Sequence, residues 1–172
     1  DLSNDNLCWL GETLQNHVQH LKAIYLRLDR CKFNKDSMPI LHKMIFSQMI
    51  SIQSFTISLS SCQVNDADIK FLVESLKPVH KNLNAFGIVF TDYIGITSQG
   101  VDEVFELIQS MDALKTLNLW MGNVRASKES YKTLGGHVLP SLKSLTNLTL
   151  WLQESSISDE SIYAILVNLP NL

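Results

Sequence analysis

The chain has 172 residues, of which 45% are hydrophobic and 18% are charged, and its formal charge at pH 7 is −3. This apolar fraction excludes a disordered segment, and no stretch reaches the roughly 18 consecutive apolar residues that a membrane-spanning helix requires. The slightly acidic balance disfavours a nucleic-acid binder, which usually carries a basic excess. A chain of this length can bury a core without a disulfide or metal staple.

Strand-like segments recur along the chain every 31 residues, with repeat starts at residues 21, 52, 83, 114 and 145. Each follows the pattern L-x-x-L-x-L-x-L, whose last residues alternate between apolar and other side chains, and this alternation predicts β-strands. In chain order the apolar positions are Leu21, Ile24, Leu26 and Leu28; Ile52, Phe55, Ile57 and Leu59; Leu83, Phe86, Ile88 and Phe90; Leu114, Leu117, Leu119 and Met121; and Leu145, Leu148, Leu150 and Leu152.

Apolar stripes with a period near 3.6 lie before the first of these segments, between them and after the last one, which predicts helices. The third unit carries one extra loop residue, so its stripe is shifted by one. Gly135-Gly136 predicts that the helix containing it is the weakest of the set. The stripes comprise Leu7, Leu10 and Leu14; Met38, Leu41 and Ile45; Ile69, Leu72 and Leu76; Val101, Val104 and Ile108; Tyr131, Leu134 and Val138; and Ile162, Ile165 and Leu169.

Polar residues recur at the predicted helix entries. Ser and Asn are good N-cap residues because their side-chain oxygens accept hydrogen bonds from the first free N–H groups of a helix. Acidic residues cluster just after these positions, where the helix dipole favours them. The predicted N-caps are Ser3, Asn34, Asn65, Ser127 and Ser158.

The strand-plus-helix units resemble those of leucine-rich repeat proteins, and the 31-residue length is most similar to the ribonuclease-inhibitor-like class. The resemblance implies an α/β solenoid with a curved parallel sheet on the concave side and helices on the convex side. We expect residues 1–172 to form one such domain of about five and a half repeats. Partial units at both ends, with Leu172 opening a sixth strand, suggest a fragment of a longer solenoid.

One column departs from the family pattern, which usually places Asn or Cys shortly after the strand to bond the backbone of the turn. Here that column reads Cys31, Cys62, Tyr93, Val124 and Ser155, so the later turns are expected to be less regular. Cys31 and Cys62 are interpreted as buried or turn-capping thiols, with a disulfide or a metal site as the alternatives.

The strand positions that face away from the core are the candidate binding surface. Trp120 and Trp151 occupy one column in adjacent repeats, and exposed Trp is enriched in binding hot spots. Contact with a partner, cover by another part of the full-length protein, and mutual stacking without function all remain open for this pair. The candidate partner-binding residues are Tyr25, Arg27, Val89, Asn118, Trp120, Thr149, Trp151 and Gln153.

No motif for catalysis or cofactor binding is present: the chain has no G-x-S-x-G elbow and no phosphate-cradling glycine loop. His17 and His20 are three residues apart, but without a third ligand they are a weak metal signal. The sequence therefore predicts that the chain is not an enzyme. It predicts no metal site, no cofactor and no small-molecule substrate.

The predicted function is a non-catalytic scaffold that binds a protein or peptide on its concave strand face, within a larger complex and without nucleic acid or membrane insertion. A structural subunit fixed in a large assembly is the first alternative, suggested by the outward-facing Trp9 and Tyr163. The sensor or regulatory domain of a larger enzyme is the second. Three cysteines, an odd number, favour a reducing, intracellular location, and we expect the cytoplasm.

Overall fold

The structure is a computed structural model that describes residues 4–92, 95–153 and 155–169. Ser3, Tyr93 and Leu172, to which the sequence analysis assigns roles, lie outside the described residues. The strands are β1 (Ala23–Arg27), β2 (Ser54–Ser58), β3 (Ala85–Val89), β4 (Thr116–Trp120) and β5 (Asn147–Trp151). The helices are α1 (Asn4–Leu14), α2 (Ser37–Met44), α3 (Asp66–Leu76), α4 (Ser98–Gln109), α5 (Lys128–Thr133), α6 (Leu139–Ser141) and α7 (Asp159–Asn168).

The five strands form one parallel sheet in the order β1-β2-β3-β4-β5. In each of the four pairings a residue lies beside the one 31 positions later, as in Ala23 beside Ser54. Helices connect successive strands and cover one face of the sheet, which confirms the α/β leucine-rich-repeat architecture. Within the described ranges no helix has the length and apolar character needed to cross a membrane.

The core lies between the sheet and the helices because every second strand residue points toward the helices. Ile24 and Leu26 of β1 are nearly inaccessible, and the corresponding residues of β2, β3 and β4 are fully buried. Phe55 and Phe86 stack across adjacent strands with ring centroids 6.3 Å apart. The alternation predicted for the strands therefore separates a buried face from an open one.

Three of the predicted N-caps are confirmed. Asn65 forms a capping box at α3, while Ser127 and Ser158 accept hydrogen bonds from the third residues of α5 and α7. The prediction for Asn34 is wrong, because α2 begins at Ser37 with Asp36 in the N-cap position. The Asn34 side-chain oxygen instead accepts from the Asp36 N–H at 2.9 Å, which forms a turn before the helix.

The predicted helix stripes are confirmed as core-facing except at one position. Ile162 of α7 is 41% exposed, whereas the preceding Ser161 is buried. The Ser161 hydroxyl donates to the Lys128 carbonyl of the previous repeat at 3.2 Å, so α7 turns Ser161 rather than Ile162 inward. The outward face of α7 consequently carries large apolar side chains, namely Ile162, Tyr163, Leu166 and Val167.

The glycine pair lies where the helical connection between β4 and β5 widens into a π-helix, Leu134–Val138. A Cβ atom added to Gly135 would lie 2.5 Å from the backbone nitrogen of Ile165, whereas one added to Gly136 would meet nothing within 4 Å. The Asn168 side chain donates to the Gly135 carbonyl at 2.9 Å. Gly135 is therefore required by the close approach of α7, which the sequence alone does not reveal.

Candidate partner-binding groove

The open face of the sheet forms a groove of about 1100 Å³, hereafter the concave groove, lined by residues of all five strands. Every candidate residue predicted from the sequence lines it. Tyr25, Arg27, Trp120, Thr149, Trp151 and Gln153 are exposed, whereas Val89 and Asn118 are half-buried. The parallel register brings them together because equivalent positions of successive repeats lie side by side.

Trp120 and Trp151 form the aromatic end of the concave groove. They are register partners on β4 and β5, and their rings stack with centroids 5.1 Å apart and planes inclined by 22°. The rings nevertheless remain 38% and 46% exposed. Stacking therefore fixes the orientation of the pair without covering it, and a flat apolar surface stays open to the groove.

Arg27 and Asp29 form the polar end of the concave groove. The Arg27 Nε donates to Asp29 Oδ2 at 2.5 Å. The other carboxylate oxygen accepts from the Ser58 hydroxyl and, at 3.1 Å, from the Ser60 N–H. Asp29 thus joins β1 to the following repeat, a contact that sequence reasoning missed because strand periodicity indicates only which face of the sheet a residue occupies.

Charge is unevenly distributed at this end. Burial opposes ionisation of Asp29, but hydrogen bonds from Ser58, Arg27 and the Ser60 N–H, together with the Arg27 charge, hold its pKa below the ordinary value. Arg30 also lines the groove here and is exposed. The first repeat therefore contributes two guanidinium groups and one carboxylate to the groove, a net positive charge, while Asp92 lines the groove two repeats further on.

A row of left-handed residues borders the groove just beyond the strands. Arg30, Ser61, Asp92 and Asn123 all have φ between 56° and 59° and occupy the same position in successive repeats. The N–H groups of Arg30, Ser61 and Asn123 donate to carbonyls of the following repeat at 2.8–3.1 Å. Sequence reasoning missed this row, although Asp92 and Asn123 gave a signal because Asp and Asn tolerate this conformation.

Cys31 and Cys62 are buried and form no disulfide. Burial raises the pKa of the Cys62 thiol to about 11. The Cys62 Sγ donates to the Leu28 carbonyl of the preceding repeat at 2.7 Å. Disulfide formation and metal binding both need a thiolate. The geometry therefore favours a buried thiol that hydrogen-bonds the turn, and disfavours the two alternatives.

Among the described residues no cluster of three or more His, Cys, Asp or Glu side chains could hold a metal ion. His17 precedes a short 3-10 turn, Val18–His20, of which His20 is the last residue, and both side chains are exposed. Stacking, hydrogen bonding and charge are thus the properties that the concave groove offers, and these are means of recognition.

No protein-family model matches the chain, and no curated protein matches it. Solved structures share its fold. A tropomodulin C-terminal domain from Caenorhabditis elegans has a TM-score of 0.62 at 14% identity, with 96% of this chain and 92% of that one covered. The leiomodin-1 actin-binding site 2 has a TM-score of 0.65 at 12% identity, with 98% and 89% covered.

These similarities correct the class to which the repeats were assigned. The assignment to the ribonuclease-inhibitor-like class is wrong, because the solved structures that share the fold are tropomodulin and leiomodin domains, although paired strand residues are 31 positions apart. The physical reason is that a periodic apolar pattern specifies how strands and helices stack. It does not distinguish among the classes of solenoid that stack in this way.

Proposed function

We propose that this chain is a non-catalytic scaffold that binds a protein partner in the concave groove, within a larger intracellular complex. The observation that carries the proposal is the stacked pair Trp120 and Trp151, held in one orientation and still exposed. Pre-oriented Trp rings bind with little loss of side-chain freedom, which is the property of hot-spot residues. Contact with a partner therefore accounts for both the stacking and the exposure.

The surroundings of the Trp pair support the same function. Gly122 lies beside Trp151 and lacks a side chain that would fill the groove. Asn118 and Thr149 add polar groups next to the rings. An apolar surface surrounded by hydrogen-bonding groups is the usual arrangement of a protein-binding site.

The test is affinity purification from the native source with the natural full-length protein and a Trp120→Ala/Trp151→Ala version, followed by mass spectrometry. We expect the double variant to lose its principal partner, since hot-spot truncations each weaken binding by about 2 kcal/mol or more. Trp9→Ala is the matched control, because Trp9 is 67% exposed and lies outside the groove. Equal capture by the wild type and the groove variant would reject the proposal.

A second variant guards against loss of folding in the first. Gly122→Leu keeps both Trp rings, and its Cβ would lie 3.5–3.6 Å from its neighbours, which is ordinary contact. The rest of the new side chain would occupy the groove, so we expect the same partner to be lost at an unchanged melting temperature. Because the leiomodin-1 structure is described as an actin-binding site, actin is a partner to be tested directly in this assay.

A structural subunit fixed in a large assembly is the second candidate function. The observation that favours it is the apolar outward face of α7, where Tyr163, Leu166 and Val167 are at least half exposed. Exposed apolar patches of this kind mark contact surfaces. If this function is correct, Tyr163→Ala/Leu166→Ser would release the natural protein from its complex during size-exclusion chromatography, while the groove variants would not.

A further inference from the structure

The two ends of the concave groove differ in chemistry and lie at a fixed separation. Arg27 and Trp120 belong to one register column, which continues through Ser58 and Val89 and ends at Trp151. Neighbouring strands lie about 4.8 Å apart, so Arg27 is roughly 14 Å from Trp120 and roughly 19 Å from Trp151. An extended peptide covers such a distance in about four to six residues.

The Arg27 guanidinium is held in place with part of it still available. Its Nε is bonded to Asp29, but the side chain is 74% exposed, and no other described residue bonds it. Arg27 lines the groove, and its terminal amino groups carry N–H donors that can match a carboxylate in pairs. Arg30 adds a second positive charge at the same end, so the net charge there is complementary to an acidic group.

Small side chains form the floor between the two ends. Ser58 is 3% exposed and its hydroxyl donates to Asp29, while the half-buried Thr56 and Val89 line the groove beside it. Val89 is the largest side chain of this column before Trp120, whose indole N–H donates to no described residue, and neither does that of Trp151. A peptide backbone can therefore lie close to the sheet and accept hydrogen bonds from the indoles.

We propose that the concave groove recognises an extended peptide segment that places an Asp or Glu carboxylate on Arg27 and, four to six residues away, a proline or aromatic ring on Trp120 and Trp151. Flat rings suit the Trp end because they stack on an indole face with little loss of freedom. The inference rests on the proposed function and specifies the chemistry of the partner.

The probe is a library of N-acetylated, C-amidated octapeptides, varied at every position and panned on the natural full-length protein. We expect an acidic residue and a ring-bearing residue to be enriched together at a spacing of four to six. A selected peptide is then measured by fluorescence anisotropy. Arg27→Met should weaken it on the order of tenfold, and Trp120→Ala/Trp151→Ala by at least as much.

The matched control for Arg27 is Arg125→Met, which removes the same charge from an exposed position outside the groove. Replacing the acidic residue of the peptide by its amide should weaken binding to the wild type and to Arg125→Met, but leave binding to Arg27→Met unchanged. Comparing the acidic and amide peptides on Arg27→Met tests the contact between Arg27 and the carboxylate. A small loss of stability in this variant would affect both peptides equally.

Several outcomes would overturn the inference while leaving the proposed function to the partner-capture experiment. These are enrichment of ring-bearing residues without an acid, equal effects of Arg27→Met and Arg125→Met, and failure of the library to yield any peptide that depends on the Trp pair. Enrichment of basic residues in place of the ring-bearing residue would likewise overturn it, because the Trp pair would then bind a cation and not a proline or aromatic ring.

Discussion

The junction between β1 and β2 and the junction between β4 and β5 join equivalent strands in the same register, yet different interactions hold them. At the first junction, Asp29 accepts hydrogen bonds from Ser58 and Ser60 of the next repeat. At the last junction, Trp120 stacks on Trp151 over the sheet, and Gly135 admits α7 behind it. The repeat pattern thus determines which residues of neighbouring repeats lie side by side, while individual side chains determine which interactions stabilise each junction.

The two junctions should respond to different perturbations. Hydrogen bonds to a carboxylate depend on its ionisation, so the first junction is sensitive to pH. Ring stacking and close backbone packing depend on shape and volume, so the last junction is sensitive to added or removed atoms. The predictions below test this distinction, from the largest expected effect to the smallest.

Gly135→Ala should have the largest effect, because its Cβ would lie 2.5 Å from the Ile165 nitrogen and 2.7 Å from the Ala164 carbonyl carbon, forcing the backbone to move. Overpacking of this kind costs about 1–3 kcal/mol of unfolding free energy. The measurement is urea unfolding, read as the midpoint at an unchanged slope.

Gly136→Ala is the matched control for that change, since its Cβ would meet nothing within 4 Å. Removing a helical glycine without a clash should instead stabilise the chain by about 0.5–1 kcal/mol. Equal effects of the two substitutions would show that helix propensity, rather than the approach of α7, determines the role of the glycine pair.

Asp29→Asn should have an intermediate effect of about 1 kcal/mol at pH 7, because an amide accepts weaker hydrogen bonds than a carboxylate. The folded-state pKa of Asp29 lies below the ordinary value of 3.8, so the ionised side chain stabilises the fold above that pH. This contribution is lost as the pH falls through the folded-state pKa. The melting temperatures of wild type and variant should therefore differ at pH 7, and the difference should shrink only as the pH falls below 3.8 and through the lower folded-state pKa.

Glu74→Gln serves as the control for this pH dependence. Glu74 pairs with Lys77 at 2.6 Å, but both side chains are about half exposed, and surface pairs of this kind contribute little. We expect its melting temperature to follow that of the wild type at every pH. The melting temperatures of the wild type and Asp29→Asn could instead differ by as much at pH 3 as at pH 7. That result would contradict the claim that the Asp29 carboxylate stabilises the first junction.

Trp151→Leu should have the smallest effect on stability, about 0.5–1 kcal/mol, since leucine keeps an apolar side chain and removes only the stacked ring. Trp9→Leu is the control, because that ring is 67% exposed and is not stacked on another ring among the described residues. Near-ultraviolet circular dichroism should report loss of the ring pair in Trp151→Leu alone. A loss of stability no greater than that of Trp9→Leu would show that stacking does not hold the last junction.

Much of the architecture followed from the sequence by itself. The apolar period determined the strands, their parallel register and the column that contains Trp120 and Trp151, since identical spacing leaves neighbouring repeats one consistent way to stack. All eight candidate residues line the concave groove for the same reason. The repeat class did not follow, because related solenoids share the same periodic pattern.

Only the tertiary structure decided the interactions between residues of different repeats. The bond between Asp29 and Ser58 joins residues that are 29 positions apart, and their distance depends on rotamers chosen after the sheet has formed. The orientation of α7, which buries Ser161 and exposes Ile162, depends on a carbonyl in the previous repeat. Likewise, the space that Gly135 leaves for Ile165 exists only once two helices have packed. Local pattern fixes which elements form, whereas the side chains that lock them together are determined by the three-dimensional contacts that those elements create.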